Sequence, residues 1–174
     1  MLAMRLPTDT IPLLLTLLRH ARIVLEASVA TEVHPRSAIS ITLQVVHDDG
    51  SLLAALINCA SLCLLDAAVP LRGTLAAASC GFRKSADGST PDPKTEVVLD
   101  MTNAEESASA VTCTVAITGS KSVSSEVSVP FFRLAGSAGV DHVAMLRSHG
   151  IDASLAVQRS LTSTITAKLS RLTF

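Results

Sequence analysis

Between Ile11 and Thr31, apolar residues recur at Leu14, Leu17, Leu18, Ala21, Val24, Leu25 and Ala27, the three-and-four spacing of one helix face. Arg19, Arg22 and Glu26 fall on the opposite face. Asp9 or Thr10 can cap this helix, with Pro12 near its first turn. His34-Pro35 ends it, because the residue before a proline is pushed out of helical geometry. The period then drops to two. Ile39, Ile41, Leu43 and Val45 alternate with Ser40, Thr42 and Gln44, so Ser37–His47 reads as a half-buried strand. Asp48-Asp49-Gly50 is a turn whose carboxylates suit the start of the next helix. That helix, Ser51–Ala68, is apolar nearly all round, which predicts deep burial, and Pro70 stops it.

The second half is richer in strands. Arg72–Arg83 and Glu96–Asp100 read as strands flanking a loop at Lys84–Thr95 that holds Asp87-Gly88, Pro91 and Pro93. Thr102–Ala110 is a turn or brief helix. Val111–Thr118 alternates, Gly119-Ser120 turns, and Val123–Arg133 returns as a hairpin partner. From about Val140 the chain is helical, with a break expected at Gly150-Ile151 and a last helix capped by Asp152 and striped by Leu155, Leu161, Ile165, Leu169 and Leu172. The order α, β, α, β, β, β, β, α, without repeats or a long linker, predicts one α+β domain over residues 1–174, its antiparallel-rich sheet covered by helices.

Composition narrows the class. With 48% apolar residues, 17% charged residues and a net charge of −1, the chain is too apolar to be disordered. Its 8 Gly, 7 Pro and 4 Cys exclude collagen-like and disulfide-dense classes. The excess of apolar over charged residues predicts that some hydrophobic surface meets a partner. The longest uncharged run, Ser51–Leu65, contains Asn58 and falls short of the roughly 20 residues that span a bilayer. Ile11–Leu18 follows a basic Arg5, yet Pro7, Asp9 and Pro12 interrupt a signal-peptide pattern, and Arg19, His20 and Arg22 stand where a small-residue cleavage site belongs. A soluble, intracellular protein without a membrane partner is expected.

Candidate chemistry is sparse. Cys59, Cys63, Cys80 and Cys113 have no zinc-ligand spacing and read as small hydrophobes, although Cys59 and Cys63 share a helix face. His20, His34, His47, His142 and His149 form no nucleophile–base or metal pattern, and no phosphate-binding or hydrolase motif occurs. Asp48 and Asp49 could hold a cation beside Glu105 and Glu106, but adjacent acids before a helix are more often caps. Neither a cofactor nor a metal is expected. Arg83-Lys84 is the one adjacent basic pair, and Trp and Tyr are absent, so the chain does not read as an autonomous nucleic-acid binder; it could supply a few phosphate contacts to a composite site.

Leu18 to about Arg133 carries a family resemblance. The run His34-Pro35-Arg36-Ser37 through Asp48-Asp49-Gly50-Ser51-Leu52-Leu53 resembles the RNase PH family. So do Ala55-Leu56-Ile57-Asn58-Cys59-Ala60-Ser61-Leu62, the stretch Asp66 to Arg72, Val98-Leu99-Asp100 and Glu105-Glu106-Ser107-Ala108. More narrowly, the pattern is similar to the RNase-PH-like ring subunits of the eukaryotic RNA exosome, of the non-catalytic "forty-six" type. The resemblance implies an RNase PH-like fold (ribosomal protein S5 domain 2-type), a mixed sheet packed with helices. It also implies that a half-domain of strands preceding the helix at Ile11–Thr31 is lacking, so that the fold is N-terminally incomplete, as in a truncated gene model, a short isoform or a diverged form. The helices from 140 to 174 fit this architecture but match its sequence loosely.

The resemblance also implies what has been lost. Active members read D-G-G-T-R at the helix start, where Thr and Arg bind the phosphate that attacks RNA; the matching stretch here is Asp49-Gly50-Ser51-Leu52-Leu53. Leucine offers an anion neither charge nor a donor. Of the family's two catalytic acids, Glu106 keeps the first place and Thr112 replaces the second. Ser51, Leu52, Leu53, Glu106 and Thr112 are therefore expected to form a degenerate, silent site. The implied function is that of a non-catalytic subunit, assembling with other RNase-PH-like subunits into a hexameric ring that passes RNA through its channel. Arg36, Arg83 and Lys84 are weak candidates for RNA or partner contacts, and a place in the nucleus and nucleolus, and also the cytoplasm, is implied. The alternatives are a phosphate-dependent 3′–5′ exoribonuclease and a truncated product without independent function.

Overall fold

The computed structural model describes residues 11–33, 35–83, 97–119 and 128–172. Helix α1 spans Ile11–Ser28 and α2 spans Leu52–Asp66, with a 3-10 turn at Thr31–Val33 between them. Strand β1 (Thr74–Arg83), strand β2 (Val97–Leu99), the short helix α3 (Asn103–Ala108), strands β3 (Ser109–Gly119) and β4 (Ser128–Gly136), and helix α4 (Val140–Leu172) follow. The described strands make a four-stranded sheet in the order β2-β1-β3-β4, antiparallel at every pairing. The caps expected at Asp9 and Thr10, the loop at 84–95 and the turn at Ser120 lie outside the described residues.

Strand alternation divides the core into two layers. Leu75 and Ala77 of β1 and Ala116 of β3 join α1 and α2 in one buried cluster. Ala76, Cys80 and Phe82 of β1, with Val111, Cys113, Val115 and Ile117 of β3, join Leu146 of α4 in the other. The sheet thus lies between the α1–α2 pair and α4. Helix α1 buries Leu17, Ala21, Val24 and Leu25, as its periodicity requires, while Ala27 is exposed.

Helix α2 departs from the expectation of burial all round: Ala55, Cys59 and Cys63 are exposed along one side. Its polar residues explain how it packs. Strand β2 pairs with β1 at Cys80, Gly81 and Phe82, and among the described residues no strand continues along the rest of that edge. Asn58 fills the gap, its Nδ2 donating to the Ala77 carbonyl and its Oδ1 accepting the Ala77 N–H, both at 2.8 Å. Ser61 Oγ donates to the Leu75 carbonyl at 2.7 Å. A side-chain amide replaces one residue of a missing strand, which meets the demand that half-buried backbone groups be paired.

Two expectations need correction. The break at Gly150-Ile151 does not occur; α4 runs unbroken for 33 residues, and Asp152 lies inside it rather than at a cap. Glycine normally weakens a helix, but here it allows close approach: a Cβ at Gly150 would sit 2.4 Å from Val115 Cγ2. Ser154 Oγ, one turn on, donates to the carbonyls of Gly150 and Val115 at 2.7 and 3.1 Å, and Gln158 Nε2 donates to the Thr74 carbonyl at 2.6 Å. Gly150, Ser154 and Gln158 form a small and polar stripe that sets the helix on the sheet.

The second correction concerns Ser37–His47. Its burial alternates as the sequence requires, Ile41 and Leu43 buried between exposed Ser40, Thr42 and Gln44. Yet it joins no sheet, because no described strand lies alongside it to form a ladder. Its apolar face packs on the α1–α2 cluster through Ile39, Ile41, Leu43 and Val45.

Replacing Asn58 by Leu should cost about 2–4 kcal/mol, because both Ala77 backbone groups lose their partner. Gly150→Ala should cost about 1–3 kcal/mol through overpacking, despite alanine's higher helix propensity. Denaturant unfolding of the purified variants checks both; an unchanged midpoint for either would remove the role given to that residue.

Candidate functional site

Five of the residues singled out by sequence, Ser51, Leu52, Leu53, Glu106 and Thr112, gather around the turn that starts α2. Gly50 has φ +99°, and a Cβ there would lie 2.4 Å from the Met101 carbonyl oxygen, so the chain passes too close for any side chain. Ser51 follows with φ 52°, also left-handed. A non-glycine residue holds that conformation only where the surroundings fix it. Here they do so from several directions. Asn103 N donates to the Asp49 carbonyl at 2.8 Å, and Gly50 N to Asp48 Oδ1 at 3.1 Å. Ser51 Oγ is buried, donating to the Met101 carbonyl at 3.0 Å and hydrogen-bonded to Ser79 Oγ of β1.

Glu106 completes this arrangement. Its Oε1 accepts the Ser51 N–H at 2.8 Å, bridging 55 residues of sequence. A carboxylate at the first N–H groups of a helix is stabilised by those donors and by the helix dipole, the same physics by which helix starts hold free anions. The neighbouring Glu105 acts elsewhere, forming with Thr102 a capping box that starts α3. The two acids are thus used one on each helix. Among the described residues no three His, Cys, Asp or Glu side chains gather to hold a metal ion.

Beside this turn lies a cavity of about 270 Å³. Ser51, Leu52, Leu53, Glu106 and Thr112 all line it, so the structure brings together all five positions that sequence placed in one site. Leu53 is buried and belongs to the α1–α2 core, and Leu52 packs against that core. Their side of the cavity is apolar. Thr112 stands on the α2 side of β3, and its hydroxyl cannot carry the charge of a carboxylate.

Sequence reasoning missed Ser79 and Arg133, which also line the cavity. A readable signal for Arg133 existed: it is a charge inside the apolar run Phe131-Phe132-Arg133-Leu134, on the α2 side of β4. It lies near His20, whose ring meets Phe131 with centroids 5.4 Å apart. Partial burial, then the charges of Arg133 and Arg19, hold His20 below its ordinary pKa.

The weak contact candidates do not join the cavity. Arg36 is exposed beyond the 3-10 turn with φ 62°. Arg83 ends β1, where the pairing with β3 shifts register, and Lys84 lies outside the described residues. Of the cysteines, Cys80 and Cys113 are buried and face each other across β1 and β3, whereas Cys59 and Cys63 are exposed, contrary to their reading as buried hydrophobes. The hydrogen bond to Cys80, together with burial, pushes the Cys113 thiol well above its ordinary pKa. No described helix is long and apolar enough to cross a membrane.

An antiparallel sheet between a helix pair and one long helix, with a cavity at the glycine turn that begins α2, defines an RNase PH-like domain. Residues 13–70 match the model of the RNase PH family, described as 3′ exoribonuclease family, domain 1. The solved structure of rice Rrp46 shares the fold, with a TM-score of 0.80 over 95% of this chain and 72% of that one, at 24% identity. In sequence, the chain is 40% identical over 83 residues to the human exosome complex component RRP41, covering 48% of this chain and 30% of the relative. It is 42% identical over 74 residues to the rice exosome complex exonuclease RRP46 homolog, covering 42% of this chain and 27% of the relative. The matched stretch therefore spans less than a third of these curated relatives.

Replacing Glu106 by Ala should destabilise the chain by about 1–3 kcal/mol, because the Ser51 N–H loses a charged acceptor, while Glu106→Gln should cost less. Paired unfolding curves test this, and equal stability of E106A and the native chain would show that the carboxylate does not hold the turn.

Proposed function

We propose that this chain is a non-catalytic structural subunit of an RNA exosome ring, supporting 3′–5′ RNA processing and degradation by assembling with other RNase-PH-like subunits. One observation carries the reading. The cavity where the family's reaction would take place is walled by Leu52 and Leu53, and its one acid of the expected pair, Glu106, is occupied by the Ser51 N–H. Phosphorolysis needs an anion held beside the scissile bond by charged or donating groups. Leucine supplies neither, and Thr112 replaces the second acid. The exosome names of the relatives, of both the forty-one and forty-six types, support the assembly part of the proposal.

On this reading the partners are RNase-PH-like subunits in a six-membered ring, with RNA passing through the assembled channel. The chain would reside where that ring works, in the nucleus and nucleolus and also the cytoplasm. The second reading, a phosphate-dependent exoribonuclease, is favoured by the retained Glu106 and by the name of the rice relative, an exonuclease.

Two assays on one preparation separate the readings. Affinity purification of the tagged chain from cells should bring down other exosome ring components, and the purified chain with poly(A) and inorganic phosphate should release no nucleoside diphosphate. Purification without ring components would overturn the assembly role; phosphate-dependent release of nucleoside diphosphates would establish the enzymatic reading instead.

A further inference from the structure

Cys59 and Cys63 belong neither to the cavity nor to the buried core. Both are exposed on α2, one helical turn apart. Residues four apart on a helix stand one above the other, with Cβ atoms about 5–6 Å apart. Their adjacency is therefore set within α2 itself, whatever else packs on that side. The two sulfurs also sense each other. Partial burial, then the charge of Cys63 and a hydrogen bond to it, push the Cys59 thiol above its ordinary pKa.

This spacing is too wide for a disulfide, which needs Cβ atoms about 3.5–4.5 Å apart. It suits one ion held between two sulfurs. With a metal–thiolate bond of about 2.3 Å as a guide, sulfurs on opposite sides of an ion lie about 4.6 Å apart, within reach of side chains at this spacing. Thiolates are soft donors and select Cu(I) or zinc over hard cations. Zinc takes three or four protein ligands. Among the described residues no three His, Cys, Asp or Glu side chains gather. Asp66, the next acid on this side of α2, is held by Lys168 at 2.5 Å. Two sulfurs without a third ligand fit a two-coordinate ion.

We propose that Cys59 and Cys63 form a two-sulfur site for a soft monovalent cation, Cu(I), bound within one chain. The proposal does not depend on the exosome reading. Binding exchanges two S–H bonds for two S–Cu bonds: Cu(I) and two thiols give a bis-thiolate complex of charge −1 and two free protons, with no change of oxidation state. The cation also relieves the repulsion between adjoining thiolate charges that resists their ionisation. Affinity should rise with pH, by up to about 100-fold per unit while both thiols of the free chain are protonated.

Anaerobic titration of the purified chain with Cu(I), against a chromophoric Cu(I) chelator, tests the site. One Cu(I) per monomer is expected, with two protons released into weak buffer. Cys59→Ala and Cys63→Ala should each weaken binding by more than the roughly 100-fold that loss of a supporting group costs a metal site. The buried Cys80 and Cys113 stay in place in every variant, so any binding of their own is measured separately. Ala55→Cys in the Cys63→Ala background should restore binding, because 55 and 59 are again four apart on the exposed side of α2. All three substituted positions are exposed, and thermal melts establish that the fold is kept. Native affinity retained in either single variant, or no rescue by Ala55→Cys, overturns the site. So does one ion shared by two chains, Zn(II) bound in preference to Cu(I), or a native chain that takes Cu(I) from the chelator no better than the variant lacking both cysteines.

Discussion

The hydrogen bond from the Ser51 backbone to the Glu106 carboxylate is the constraint around which the first layer is built. It joins the start of α2 to α3, two elements far apart in the chain. Because Gly50 passes under the Met101 carbonyl, the turn cannot relax outward, and Ser51 is held left-handed. The angle at which α2 leaves this turn sets Asn58 and Ser61 against β1, and through them the open part of the sheet edge. The cavity is a consequence of the same joint. It is the space left between the pinned turn, α3 and the α2-facing side of β3 and β4.

In an active relative of this architecture, a turn at a helix start would be a place to hold phosphate. In this chain the Ser51 N–H at that turn is satisfied internally, by a carboxylate that reaches it from 55 residues away. The proposed loss of catalysis and the stability of the fold therefore share one origin: an internal anion takes the place where an external one would bind. Leu52 and Leu53 extend this trade by giving the core two apolar side chains.

Much of this was legible in the sequence, and the failures have physical causes. The helical face of α1 and the alternation of β3 appear directly, because periodicity records which side is buried. The five positions expected to share a site came from the D-G-S-L-L stretch, from Glu106 and from Thr112 six residues after it, and all five line one cavity. Gly150 misled because composition registers its low helix propensity but not the Val115 methyl that leaves no room for a Cβ. The 37–47 segment misled in the opposite way: alternation reports burial of one face and is silent about whether backbone neighbours exist. Arg133 went unnoticed because a single charge in an apolar strand carries no pattern until β3 and β4 are paired.

The central claim is that the helix start beside the cavity is filled by the protein itself and does not accept phosphate. Titrating the purified, isotope-labelled chain with inorganic phosphate, and following the amide resonances of Gly50, Ser51 and Thr112, tests it most directly. No saturable shift is expected at these amides. Saturable shifts centred on Ser51, with Glu106 displaced from its N–H, would contradict the claim.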